Sequence, residues 1–526
     1  MLLICLAIGL AMSWCMLDAS AAGPANHSGT NGDISNVLDQ VRLASGYKSA
    51  APTSATHLEG TAHHHGLDGR YRLWFAEGRF RKEVECAAPE TVGFDGKVGW
   101  ALDSTGMPRV LELEELEASQ VLLWVQTGRW LAAHGPFAIE RAEEQPDPAK
   151  LALSLHLKNG LAQAVVLVDR TTNLPAALRR HSVLGDEEWT FEKYQPVKGL
   201  QLAHRLVHKQ GSLVDTYELR ETSGATTPAP DLFDMPRRRP KDTEFKAEKS
   251  AVVELRRTAT GHFFVRPRIN GQDPGWFALD TGSGAGMTIV PDAAEQAGMP
   301  SFGTVLRGGA GKVSEGHLRR GTTFELGPIK IRDTIYVEMP QEFVATMRHA
   351  TGLEVMGTCG YDLFARAVVA LDQKTAQLTI HEPDHYRLPR GEWQDLVLSH
   401  RVPCVRCGFE QHHNERFQLD TGAGPLVLFH APAVEKLALL NGRQTTAMPV
   451  AGVGGSIDAR IGQLASFSVA GRRVENVPAL FIVGRHGALT DPYTTGTFGA
   501  SLLSPDQLIF DYPHRRMAFL RPDEGK

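Results

Sequence analysis

Phe277-Ala-Leu-Asp280-Thr281-Gly282-Ser283-Gly284 returns 140 residues later as Phe417-Gln-Leu-Asp420-Thr421-Gly422-Ala423-Gly424. A single Asp-Thr-Gly is an ordinary tight turn. Two copies in one F-x-L-D-T-G-x-G frame imply an internal repeat. The flanks repeat too. Gly360-Tyr-Asp-Leu-Phe364 leads to Leu371-Asp372, and Gly499-Ala-Ser-Leu-Leu503 leads to Phe510-Asp511 at the same spacing. Between motif and closing strand lie glycine-rich loops, Gly308-Gly309-Ala310-Gly311 in one copy and Gly452-Val453-Gly454-Gly455 in the other. Residues 251–385 and 393–524 therefore read as two copies of one mainly β unit, joined by a short hinge.

The pattern resembles the retropepsin-like and pepsin-like aspartic protease family, in its bacterial tandem form. The motif D-T-G-S/A, a glycine-rich flap and a later apolar-apolar-Gly segment carry the likeness, which covers about 270 residues. The third element is Thr358-Cys359-Gly360 in the first unit and Thr497-Phe498-Gly499 in the second, with threonine in place of one apolar residue. The fold this implies is mainly β: two β-barrel lobes forming a bilobal aspartic protease, preceded by an antiparallel half-barrel-like domain with one helix.

The chemistry needs two carboxyls close enough to share one proton. Like charges about 3 Å apart cannot both ionise, so one acts as acid and the other as base on water. Each unit supplies one aspartate, and the resemblance assigns Asp280 and Asp420 as the catalytic pair. It gives Thr281 and Thr421 the task of cross-bonding the two loops. Gly282 and Gly422 would let backbone N–H groups approach the carboxylates. Ser283 could add a hydroxyl donor to Asp280, whereas Ala423 offers none to Asp420. The flaps would be Gly308, Gly309 and Gly311, and Gly452, Gly454 and Gly455; neither loop carries a tyrosine. Neither a cofactor nor a metal is required. The expected substrate is a peptide or protein, cut by a monomer.

Working toward the N-terminus, residues 224–250 hold four prolines and the basic run Arg237-Arg238-Arg239, the composition of a solvated linker (223–250). Residues 33–222 read as a β-rich accessory domain. Residues 33–46 have helical spacing, and Leu151–Leu157 alternates before turning at Lys158-Asn159-Gly160 into Ala164–Val168. Further strands are expected at 71–75, 80–84, 94–100, 189–191 and 202–207. A leading helix, Phe94-Asp-Gly-Lys-Val-Gly-Trp100 and Asp169-Arg-Thr-Thr-Asn-Leu-Pro175 resemble the bacterial outer-membrane lipoprotein carrier family, which implies an incomplete β-barrel wrapped on a helix and a lipid or lipoprotein ligand.

Residues 2–17 are uncharged and mostly apolar, and Ala19-Ser20-Ala21 follows them. Residues 1–22 read as a secretory signal peptide, although no Lys or Arg precedes the apolar run. The expected location is periplasmic or extracellular; an uncleaved anchor is the alternative, and about 16 apolar residues are few for a bilayer span. The 526 residues carry 55 basic and 60 acidic side chains, which gives no footprint for nucleic acid. Cys404-Val-Arg-Cys407 lacks the second ligand pair of a zinc site and reads as plain thiols or a local disulfide. In His63-His64-His65 strand alternation would let only His63 and His65 share a ligand set, so a polar hairpin tip is expected.

Two other readings compete, and two more fail on their motifs. The chain could be a non-catalytic lipid- or lipoprotein-binding protein on a protease-like scaffold. Each unit could instead pair with its twin in a homodimer. A serine hydrolase lacks its G-x-S-x-G elbow, and Gly282–Gly286 lacks a phosphate-binding lysine.

Overall fold

Alternating apolar and polar residues from Thr56 to Glu221 build one antiparallel sheet of thirteen strands. The chain is described from a computed structural model that covers residues 31–47, 55–132, 134–141, 147–221, 229–237, 239–246 and 251–522. Residues 1–22, where a signal peptide is expected, lie outside the described residues. Among them, no helix is long and apolar enough to cross a membrane.

The sheet is open. Its edges are Pro108–Leu111 and Phe137–Arg141, and its middle is the pairing of Thr56–His64 with Leu213–Glu221. Helix Leu113–Gln126 connects the two edges in sequence. It buries Val121, Leu123, Trp124 and Val125 in the same core as Phe80, Trp130, Tyr217 and Val166. Each large side chain so buried contributes about 1.5–3 kcal/mol. The leading helix Asn31–Ala44 adds Val41, with Ile34, Val37 and Leu38 packed alongside.

Three expectations change here. This domain has two helices among the described residues, not one. Phe94–Trp100 is not one strand but a turn between Glu90–Phe94 and Gly99–Leu102, because the Asp95 carboxylate accepts the Lys97 and Val98 amides at 2.7 Å each. The described part of the linker is packed down. The Phe233 side chain is buried, its carbonyl accepts the Trp100 indole N–H at 2.8 Å, and Thr243–Phe245 pairs with Ile329–Glu338.

The two repeat units share one architecture. In the first, Trp276–Leu279 runs parallel to Val355–Cys359, and Met287–Ile289 pairs antiparallel with the latter. In the second, His412–Asp420 runs parallel to Gly496–Gly499, with Val427–Phe429 in the equivalent place. Both aspartates thus stand where a central strand ends. A six-stranded sheet joins the units, each giving three strands. At its centre Val368–Asp372 pairs antiparallel with Gln507–Asp511, Ala370 facing Ile509, which marks a local two-fold.

The N-terminal domain grips both units. From the start of helix Leu113–Gln126, Glu114 pairs with His400 at 3.1 Å and Glu117 accepts from the Tyr493 hydroxyl at 2.7 Å. On the other side, Leu67, Cys86 and Ala88 pack with Phe302, Leu318 and Ile335.

Candidate active site

The two Asp-Thr-Gly turns meet across the local two-fold. Buried Thr281 and Thr421 cross-bond them reciprocally. The Thr421 hydroxyl accepts the Thr281 amide at 2.9 Å and donates to the Leu279 carbonyl at 2.7 Å. The Thr281 hydroxyl accepts the Thr421 amide at 3.0 Å and donates to the Leu419 carbonyl at 2.8 Å. Each hydroxyl thus satisfies two buried backbone groups that would otherwise be orphaned. Thr421→Val should leave an amide and a carbonyl unpaired and cost about 1–3 kcal/mol. Urea unfolding of the full chain measures it.

This bracing sets the two carboxyls side by side. The Gly282 amide donates to Asp280 Oδ1 at 2.9 Å, and the Gly422 amide to Asp420 Oδ1 at 2.6 Å. A Cβ on Gly282 would stand 2.6 Å from Cγ of Asp420, and one on Gly422 would stand 2.7 Å from Oδ1 of Asp280. Each carboxyl therefore occupies the space that a side chain on the opposite turn would need.

Burial raises both carboxyls above the ordinary aspartate range. Asp280 rises further, because the negative charge of Asp420 and the hydrogen bond between the two carboxyls add to burial. At Asp420 the amide of Gly422, the hydrogen bond from Asp280 and the neighbouring His262 offset part of the rise. Two carboxyls so placed titrate as one unit that shares a proton.

His262 was not picked out by the sequence reading. Its ring bonds Thr260 Oγ1 at 2.8 Å and lies near enough to Asp420 to act on its charge. The repeat offset places Val402 opposite it in the second unit. Its neighbours differ as well, Gly261 against Arg401 and Phe263 against Pro403, so the sequence carried no signal that singles it out.

Ser283 does not aim its hydroxyl at Asp280. It donates to the Gly286 carbonyl at 3.1 Å and accepts from Thr358 at 3.1 Å. Thr358 also bonds Thr288 at 2.9 Å, which gives the departure from the apolar pair a role as the hub of a small hydroxyl network. In the second unit Ala423 makes no such bond and Thr497 instead bonds Gln418 and His430. The asymmetry of the pair therefore comes from His262 against Val402 more than from Ser283 against Ala423.

The glycine-rich loops meet each other. The Gly311 amide donates to the Val453 carbonyl at 3.0 Å and the Lys312 amide to the Gly454 carbonyl at 2.9 Å. Gly309 accepts from the Ala488 amide at 2.9 Å, and Gly308 lies against Leu184 of the N-terminal domain. Gly452 and Gly455 form the base of the second hairpin turn. At Gly454 φ is +83°, and a Cβ would stand 2.0 Å from the Lys312 carbonyl oxygen, so glycine is required twice over.

Cys404 and Cys407 are free, buried thiols on strand Val402–Phe409. Burial pushes Cys404 up to about 12 and Cys407 well above its ordinary value, so neither is a thiolate at neutral pH.

An aspartyl protease family model matches residues 265–362 and 405–502, one stretch in each unit, and each stretch holds an Asp-Thr-Gly turn and a glycine-rich loop. The two tandem units are therefore similar to aspartyl proteases. Among solved structures, a LolA superfamily protein from Nitrosomonas europaea is 13% identical, covering 35% of this chain and 91% of its own at a TM-score of 0.25. A DUF1329 family protein from Desulfovibrio piger is 11% identical, covering 37% of this chain and 95% of its own at a TM-score of 0.26. Basic 7S globulin from soybean is 11% identical, covering 53% of this chain and 95% of its own at a TM-score of 0.31. No curated protein matches the chain.

Proposed function

We propose that the chain is an exported aspartic endopeptidase that hydrolyses peptide bonds through Asp280 and Asp420. The observation that carries this reading is the reciprocal threonine bracing that sets two carboxyls against each other at the ends of two matched strands. A structural turn has no need to hold two carboxyls together at the cost of desolvating both.

Water between the carboxyls loses a proton to ionised Asp420 and attacks the scissile carbonyl carbon. Asp280 gives its proton to the carbonyl oxygen as that oxygen becomes an alcohol. The resulting gem-diol collapses when the proton on Asp420 passes to the leaving nitrogen and Asp280 takes one back from the diol. Products are a carboxylic acid and an amine, and the pair ends with its single proton. The bonded flaps must part to admit an extended peptide and then close to exclude water.

Activity should follow a bell-shaped pH profile. It falls on the acid side as Asp420 protonates and on the alkaline side as Asp280 ionises. Both raised values move the active window above that of two ordinary carboxyls. His262→Val removes a group that lowers Asp420, so the acid limb should move to higher pH while the alkaline limb stays close to its place. The pH dependence of kcat/KM on a cleaved peptide measures this. An acid limb that stays put or moves down contradicts the assignment of Asp420 as base. The competing reading, a lipid-binding protein on an inert scaffold, predicts no cleavage by a folded chain.

A further inference from the structure

Strand alternation in His63-His64-His65 predicts that His64 faces away from both neighbours. The backbone breaks that rule at His65, where φ is +55° as the chain leaves Thr56–His64 for the turn to Leu67–Ala76. The two rings lie side by side, with centroids 3.8 Å apart. Exposed His63 is bonded to Asp68 at 2.8 Å. His64 and His65 instead face Glu90 at the start of strand Glu90–Phe94.

We propose that His64, His65 and Glu90 form a binding site for a divalent transition metal of the zinc class, distinct from the aspartate pair. One ligand atom from each lies within 4.8 Å of the others. His64 is only 5% exposed, and its Nε2 is buried without a hydrogen bond, 3.5 Å from Glu90 Oε2. Nδ1 of His65 is likewise buried and without a partner. Tetrahedral zinc with bonds of about 2.0–2.1 Å spaces its donors by about 3.3–3.4 Å. The His64–Glu90 pair already has that spacing, and the widest pair must close by roughly 1.5 Å or less.

The surroundings support the same reading. The far nitrogen of His64, Nδ1, faces Asp215 Oδ2 at 3.2 Å and the Tyr217 hydroxyl at 3.0 Å. Asp215 also accepts the His65 amide at 2.8 Å, so one carboxylate fixes both histidines. A carboxylate behind a ligating imidazole orients the ring and turns its other nitrogen outward. Two imidazoles and a carboxylate select zinc over the harder calcium and magnesium, and they leave a fourth position open. The nearest competing cation is Lys82, whose Nζ is 3.0 Å from the other Glu90 oxygen, Oε1.

Chelator-treated full chain, titrated with Zn2+ by calorimetry and with Co2+ by visible absorption, tests the proposal. The expected results are one tight equivalent and the intense absorption of low-coordinate Co2+. His65→Ala and Glu90→Gln should each weaken binding at least about 100-fold, and Asp215→Asn by about 10–100-fold. Lys82→Met should tighten it by freeing Glu90, and His63→Ala should change nothing. Circular dichroism of each metal-free variant verifies that it is folded. No uptake by the folded parent overturns the proposal. So does uptake that survives both His65→Ala and Glu90→Gln, or that is lost in His63→Ala.

Discussion

Asp280→Asn and Asp420→Asn are each expected to abolish peptide cleavage, lowering kcat by about 10⁴-fold, the upper end of what positioned acid–base groups supply. The double variant should be no slower than either single one, because the two groups act as a unit. Loss of fold should not be the cause. Burial and the charge of Asp420 raise Asp280 in the folded chain above its unfolded value. A group raised in this way favours the folded state most below its unfolded pKa, and that advantage is lost as pH climbs through the folded value. Asparagine at 280 has no such dependence, so this variant should be at least as stable as the parent at neutral pH. Peptide cleavage beside thermal unfolding measures both. Loss of activity in only one variant would mean that the two units do not form one site.

Gly422→Ala is expected to lower kcat by about 100-fold with the fold retained, the scale of a misplacement of about 1 Å at a reacting centre. A methyl there would stand 2.7 Å from Oδ1 of Asp280 and 3.1 Å from Oδ1 of Asp420, so the carboxyls must separate. Gly282→Ala should behave alike, since its methyl meets Asp420 at 2.6 Å. Ser283→Ala should change far less, because that hydroxyl serves Gly286 and Thr358 and not the carboxyls. Steady-state kinetics of the three variants, with urea unfolding alongside, separates the two effects. Equal kcat values for Gly422→Ala and Ser283→Ala would contradict the close approach.

The legible part of this chain was what repeats. A doubled F-x-L-D-T-G frame is readable because each unit must end a central strand on an aspartate and turn at once, and few residues satisfy both demands. Helix Leu113–Gln126 was not legible. Its last turns carry Val121, Leu122, Leu123, Trp124 and Val125 in a row, which blurs the helical period, since the sheet core of its own domain takes up all of them. The strap around Phe233 hid behind its prolines, although Leu232-Phe233 was an apolar pair with no reason to sit in solvent. His262 belongs to no motif, and its neighbours at 258–264 differ from 398–404 as much as it does, so nothing in the sequence marks it. His64 and His65 escaped because strand alternation fails wherever φ turns positive. The following Gly66, itself at φ +74°, was the one local hint of such a turn.

The central claim is that one chain assembles one working carboxyl pair. Cleavage of a peptide library by the full chain between about pH 3 and 8, read by mass spectrometry, tests it most directly. The account predicts internal cuts, a bell-shaped dependence on pH and a rate proportional to chain concentration. A folded chain that cuts no peptide anywhere in that range would contradict it, and a rate rising with the square of concentration would place the pair between two chains.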